Sequence, residues 1–178
     1  MLTVLVGLGA LSNAVGDDRG PADTTVADYQ PALAGPDDAS AAPADVATPG
    51  IGEPAADGDF RFVVTGVECG ATHLGSAAFG VTAQGEFCIV DLTVTNIGDE
   101  AQSFWGDNTV LLNAQGQEFS SDTSAALYLD DSRSFYEEVN PGNTLRSRVV
   151  FDVPTGMSPT AIELHDSAFS GGVTVRLR

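Results

Sequence analysis

The sequence predicts an all-β, immunoglobulin-like antiparallel β-sandwich of about seven or eight strands, and three observations predict it. Strand-length runs alternate apolar and polar residues with a period of two, turn signals separate those runs at short intervals, and no convincing long helical period interrupts them. The clearest run is 85–96, in which Cys88, Val90, Leu92 and Val94 share one face while Asp91, Thr93 and Thr95 share the other. That pattern belongs to a half-buried strand. Cys88 lies on its apolar face and so points inward, where its partner is Cys69, the chain's other cysteine. A buried disulfide clasp between two strands is expected.

Composition divides the 178 residues into three blocks. Residues 1–16 are uncharged and mostly apolar, 17–59 are rich in Ala, Pro, Asp and Gly, and 60–178 hold almost all the aromatic and β-branched residues. Only the third block has the apolar content to build a core, so the domain is expected to span 60–178. The net charge of −18 is shared between the second and third blocks, and every cation is an arginine. Such a field repels phosphate backbones and anionic lipid headgroups, which argues against nucleic-acid partners and against membrane contact other than through the N-terminal block.

The first block has two readings. As a helix it is about 24 Å long at ~1.5 Å per residue, short of a bilayer's hydrocarbon core, and it lacks the basic start of a signal peptide. It is either a signal peptide without that start, with Ser12-Asn13-Ala14 suiting cleavage, or the outer part of a truncated membrane anchor that leaves the bilayer at Gly16-Asp17-Asp18. Both readings place the remainder outside the cytoplasm. Residues 17–59 show no apolar period and have too little to bury to offset the entropy of ordering, so they are expected to form a disordered linker.

Within the third block, residues 60–69 open with apolar residues of both parities: Phe60, Phe62 and Val64 on one, Val63, Val67 and Cys69 on the other. Residues 70–85 are small and read as a loop. Asn96 to Asp99 is a turn in which Gly98 is free to take positive φ. Two strands, 109–113 and 117–120, flank Ala114-Gln115-Gly116 as a hairpin. Residues 124–131 hold a helical turn or a short edge strand. Asn140-Pro141-Gly142-Asn143 has the residues of a type II turn, with Pro141 setting φ and Gly142 supplying positive φ. The strand 144–153 follows, with Leu145, Ser147, Val149, Phe151 and Val153 inward, Arg146, Arg148 and Asp152 outward, and Pro154 at its end. Ile162 and Leu164 mark one more strand, and Val173, Val175 and Leu177 the last.

Four runs carry a family resemblance: Cys-Ile-Val-Asp-Leu-Thr-Val-Thr-Asn-Ile-Gly-Asp (88–99), Asn-Pro-Gly-Asn (140–143), Val-Val-Phe-Asp-Val-Pro (149–154) and Glu-Leu-His-Asp-Ser-Ala-Phe-Ser-Gly-Gly-Val (163–173). Together they resemble the telokin-like family of bacterial surface domains, which is similar to immunoglobulin-like secreted immunogens of mycobacteria. The resemblance covers about 60–178. It implies a sandwich on the outer side of a Gram-positive, actinobacterial membrane, held behind an anchor and a low-complexity linker, and it implies no catalytic residues.

The side chains that carry chemistry point the same way. His165-Asp166 has the composition of a base and its orienting acid, but neighbours on a strand face opposite ways and cannot pair simply. No nucleophile, base and phosphate loop are recognisably arranged, so the expectation is a non-enzyme without a cofactor. Asp107-Asn108, Asp130-Asp131-Ser132 and Glu137-Glu138 offer oxygen ligands suited to calcium, but none has EF-hand spacing, and no metal site is assigned. An alternative reading keeps a calcium-binding or other accessory protein of an envelope enzyme system. The candidate contact residues are aromatic: Phe104, Trp105, Tyr128, Phe135 and Tyr136. Rings in sandwich loops either anchor a partner or plug the ends of the core, and exposure separates the two. The contact reading places 99–108 beside 128–138 as one surface, with Trp105 and Tyr136 near its centre and a protein or cell-envelope component as partner.

Overall fold

The strand around Cys88 is longer than its alternating centre: β3 runs Gly80–Asn96 and has a neighbour on each side. A computed structural model describes residues 47–129 and 138–178. These fall in the unit Pro43–Arg178, and the other unit, Met1–Ala42, lies outside the described residues. The first sheet has the order β1 (Pro54–Asp57), β2 (Phe60–Gly75), β3, β8 (Thr144–Val153); the second has β10 (Val173–Arg176), β9 (Pro159–Leu164), β5 (Thr109–Asn113), β6 (Glu118–Ser120). A two-stranded ribbon, β4 (Gln102–Ser103) with β7 (Glu138–Val139), brings the described strands to ten, more than the seven or eight expected, because β1, β4 and β7 are too short to show a period. All strand pairs within the sheets are antiparallel.

The inner faces meet as the alternation requires. Cys88, Val90, Leu92 and Val94 of β3 and Val149, Phe151 and Val153 of β8 pack with Leu111, Ile162, Leu164 and Val175 of the other sheet. The mixed parity of 60–69 has a structural cause, a β-bulge between Val64 and Gly66. Before it Phe62 and Val64 oppose Val94 and Leu92, and after it Val67 and Cys69 oppose Val90 and Cys88, so the extra residue turns Val67 toward the core. Cys69 and Cys88 are disulfide-bonded. Cys88 is fully buried whereas Cys69 is exposed, so the clasp is buried on one side only.

Residues 70–85 are not a loop. They prolong β2 and β3 into one long hairpin whose tip is Ser76 to Phe79, closed by Ser76 N–H donating to Phe79 O at 2.8 Å. Small residues there hid a ladder made by backbone groups. The hairpin supplies Leu74 to a second apolar cluster on the outer face of the first sheet, formed with Phe87, Ile89, Val150 and the short helix α1 (Thr123–Ala126). Of the open reading of 124–131 the helical turn is what the described part, 124–129, contains, and Asp122 caps it by accepting from Ala125 N–H at 2.8 Å. Gly142 takes the positive φ the type II turn needs, 79°. Gly98 does not serve that purpose: it is small because the Asp59 side chain packs where a Cβ would sit.

The domain also starts ahead of Phe60, which corrects the expected boundary. β1 pairs with the start of β2, Ala55 opposite Phe62 and Asp57 opposite Phe60. Further upstream, Pro49 O accepts from Arg176 N–H at 2.7 Å and Thr48 O from Arg176 Nε at 2.8 Å. This segment is attached mainly by backbone hydrogen bonds, which leave no mark in composition. The rest of the expected linker, and residues 1–16, lie outside the described residues.

Candidate functional site

One end of the sandwich is built from three connections: the β1–β2 turn, the segment from β3 through β4 to β5, and the β9–β10 loop. Asn96, fully buried at the end of β3, organises the middle one. Its Nδ2 donates to Glu100 O and Val139 O, both at 2.7 Å, and its Oδ1 accepts from Gly98 N–H at 2.9 Å, so every polar group of the side chain is used. Beyond it β4 leads into Phe104 and Trp105, the latter extended at φ −116° and ψ 116°. Adjacent residues of extended chain point opposite ways.

That alternation separates the two rings. Phe104 is 0% exposed and packs against Phe60 and Phe62 at centroid distances of 6.3 and 5.9 Å, so it belongs to the core and is corrected from the contact set. Trp105 keeps 44% of its surface exposed. Tyr128 is half-buried against Phe79 of the hairpin tip, with ring centroids 5.0 Å apart. Phe135 and Tyr136 lie outside the described residues. Of the expected neighbourhood of 99–108 and 128–138, residues 130–137 lie outside the described residues, and its last residue, Glu138, opposes Ser103 in the ribbon.

Trp105 lines a depression that also takes in Phe169, a residue outside the expected contact set. A groove of about 620 Å³ opens between residues 100–108 and 166–169, lined by Glu100, Gln102, Ser103, Trp105, Asn108, Asp166, Ser167 and Phe169 among others. Phe169 is wholly exposed. An aromatic among small residues in a turn-rich stretch, Ser167-Ala168-Phe169-Ser170-Gly171, was the available signal.

A chain of carboxylates holds these connections together. Gln102 Nε2 donates to Asp59 Oδ2 at 2.6 Å, Asp59 N–H to Asp166 Oδ2 at 3.3 Å, and Asp166 N–H to Asp57 Oδ2 at 2.8 Å. Gly58, at φ 55°, is required both by its conformation and by the Asp166 carboxylate lying where its Cβ would be. Burial acts to raise the pKa of Asp57, but hydrogen bonds from Asp166 N–H, Ser170 and Gly172 N–H, together with the nearby His165, outweigh it and hold the carboxyl below its ordinary value. Asp166 Oδ1 is buried and has no hydrogen-bond partner.

His165 does not pair with Asp166. Its Nε2 lies 2.8 Å from Glu163 Oε1 and its Nδ1 3.4 Å from Ser170 Oγ, while that hydroxyl donates to Ser167 O at 3.0 Å. These contacts brace the β9–β10 loop. Among the described residues, no group of three or more His, Cys, Asp or Glu side chains is arranged to hold a metal ion.

Two packed antiparallel sheets, the first carrying a half-buried disulfide between its adjacent strands β2 and β3, with a groove formed by connections at one end, define a β-sandwich domain. Over residues 49–175 the chain belongs to the DUF4352 family, a domain of unknown function. Its fold is similar to that of the yjhA protein of Bacillus subtilis (TM-score 0.55, 14% identity, covering 74% of this chain and 100% of that one). It is similar also to MPT63, a secreted protein of Mycobacterium tuberculosis (TM-score 0.53, 14% identity, covering 72% and 95%), and to a conserved hypothetical protein of Bacillus anthracis (TM-score 0.51, 15% identity, covering 70% and 94%). No curated protein matches the chain in sequence. The family match begins at residue 49, as the early start of the fold requires.

Proposed function

We propose that this domain is a non-catalytic, extracytoplasmic interaction module, held at or released from a bacterial cell surface, that binds a protein or envelope component through the Trp105–Phe169 groove. The observation that carries the reading is that two exposed aromatics, Trp105 and Phe169, line one open depression between connections tied together by the carboxylate chain. The export reading draws support from the apolar 1–16 segment, the disulfide, and the fold shared with a secreted protein. Kinship with telokin-like surface domains, resting on the four sequence runs named above, belongs to the same proposal.

The test is capture from cell-envelope fractions by the full chain and by the double variant Trp105→Ala/Phe169→Ala. A bound component recovered with the wild type and lost with the variant, at an unchanged melting temperature, supports the module. Equal capture by both would remove the groove from the reading.

A further inference from the structure

We propose that the β9–β10 loop is a proton-operated latch: His165 protonated on both ring nitrogens holds residues 166–172 closed, and loss of one of those protons releases them. The ring stands half-buried at the root of the loop, on a backbone fixed by its own N–H donating to Asn108 O at 3.1 Å. The loop is wound around it, since Gly172, at φ 72°, lies so close that a Cβ there would collide with the imidazole. Both ring nitrogens meet acceptors. Nε2 is 2.8 Å from Glu163 Oε1, and Nδ1 is 3.3 Å from Ser170 O and 3.4 Å from Ser170 Oγ. The one hydrogen of that hydroxyl is claimed elsewhere, by Ser167 O at 3.0 Å and by the Asp57 carboxylate.

An imidazolium donates at both nitrogens and satisfies the whole set, whereas either neutral tautomer fails at one of them. Without the Nε2 proton, a ring lone pair faces the Glu163 carboxylate. Without the Nδ1 proton, one faces Ser170 O, and the Ser170 hydroxyl must turn to the ring and leave Ser167 O and Asp57. Charge acts in the same direction. The ionisable groups around the ring, Glu163 on β9, Asp57 at the end of β1 and Asp166 in the loop, are all acids, and among the described residues none of them pairs with an arginine. The closed loop is therefore the acid-side form and the released loop the alkaline-side one, and imidazole is the side chain whose charge ordinarily changes between about pH 5 and 8. Ser167 and Phe169 lie on the released stretch and line the groove, so the proton on His165 sets that wall of it.

The chain has two histidines, so the experiment is a titration of ring and amide NMR signals of the full chain between about pH 5 and 9, with His73→Gln assigning the rings. On the acid side both ring nitrogens of His165 are expected to carry protons. The amide signals of Asp166, Ser170 and Gly172 should move with the ring's own midpoint while that of Val90 in β3 stays, and in His165→Gln they should lose that step. Two milder variants carry the test should His165→Gln not fold. Glu163→Gln removes the charge but keeps an acceptor oxygen, and is expected to move the ring midpoint to lower pH. Ser170→Ala removes the hydroxyl that a neutral Nδ1 would need, and is expected to move it to higher pH. A ring that keeps one protonation state over the whole range, a ring that titrates while the amides stay still, or an amide step that survives in His165→Gln overturns the latch. So does a midpoint that Glu163→Gln leaves in place, or that both variants move the same way. These signals need no partner, so the latch is decided apart from the interaction module.

Discussion

Phe104 and Trp105 differ by one position and have opposite fates. Truncating Phe104 removes a ring locked between Phe60 and Phe62, and Phe104→Ala is expected to cost about 3–5 kcal/mol in denaturant unfolding. Trp105→Ala should leave the unfolding midpoint nearly unchanged; a loss as large as that of Phe104→Ala would return the indole to the core. Asp57 makes the second residue-scale prediction. Its folded-state pKa lies below the ordinary value of 3.8, so its contribution to stability is present above that value and is lost as pH falls through the lower folded one. Unfolding measured across the acid range should therefore show wild-type stability falling more steeply below about pH 4 than that of Asp57→Asn. Parallel profiles would mean that the hydrogen bonds from the β9–β10 loop do not depend on the charge.

At the scale of elements, the β2–β3 hairpin is the longest feature of the fold and the disulfide sits partway along it, with Cys69 directly opposite Cys88. Both strands continue past the bond toward the tip at Ser76 to Phe79, and the bulge after Cys69 changes register as they go. Closing a loop of sequence separation 19 restricts the unfolded chain, which in the loop-entropy account stabilises the fold by about 3 kcal/mol. Reduction should lower the unfolding free energy by about that amount and add two protons in intact mass. Alkylation of both cysteines without prior reduction would contradict the bond. The sheet around it survives reduction, because Val90, Leu92 and Phe151 remain buried whatever the state of the sulfurs.

For the whole molecule, the extent of the domain is the testable quantity. Thr48, Pro49 and β1 attach to β10 and β2, so a chain cut to begin at Phe60 loses backbone hydrogen bonds and uncovers part of the first sheet's edge. Residues 60–178 alone are expected to unfold at a lower denaturant concentration than residues 47–178, and limited proteolysis of the full chain should stop ahead of Thr48. A stable fragment starting at Phe60 would restore the boundary read from composition.

The alternation in 85–96 and 144–153, the Gly142 turn and the two cysteines were sufficient to predict a sandwich, because burial on one face of a strand writes a period of two into side-chain type. What bonds through the backbone left no such trace: β1, the 70–85 ladder and the ribbon of β4 with β7 are made of small or polar residues whose N–H and C=O groups find partners only in the folded chain. The second apolar cluster was half visible, since Phe87, Ile89 and Val150 break the polar face of their strands, but its cover, α1 with the hairpin, comes from distant sequence. The groove was the least legible. Trp105 was selected on residue type alone, and the Phe169 side of the depression arrives from a loop some sixty positions away, because β5 pairs with β9 and carries residues 166–169 to that end of the sandwich. Residue type and period determined the layers and their inward faces; which connections converge at an end depends on strand order, a property of long-range pairing that no local pattern encodes.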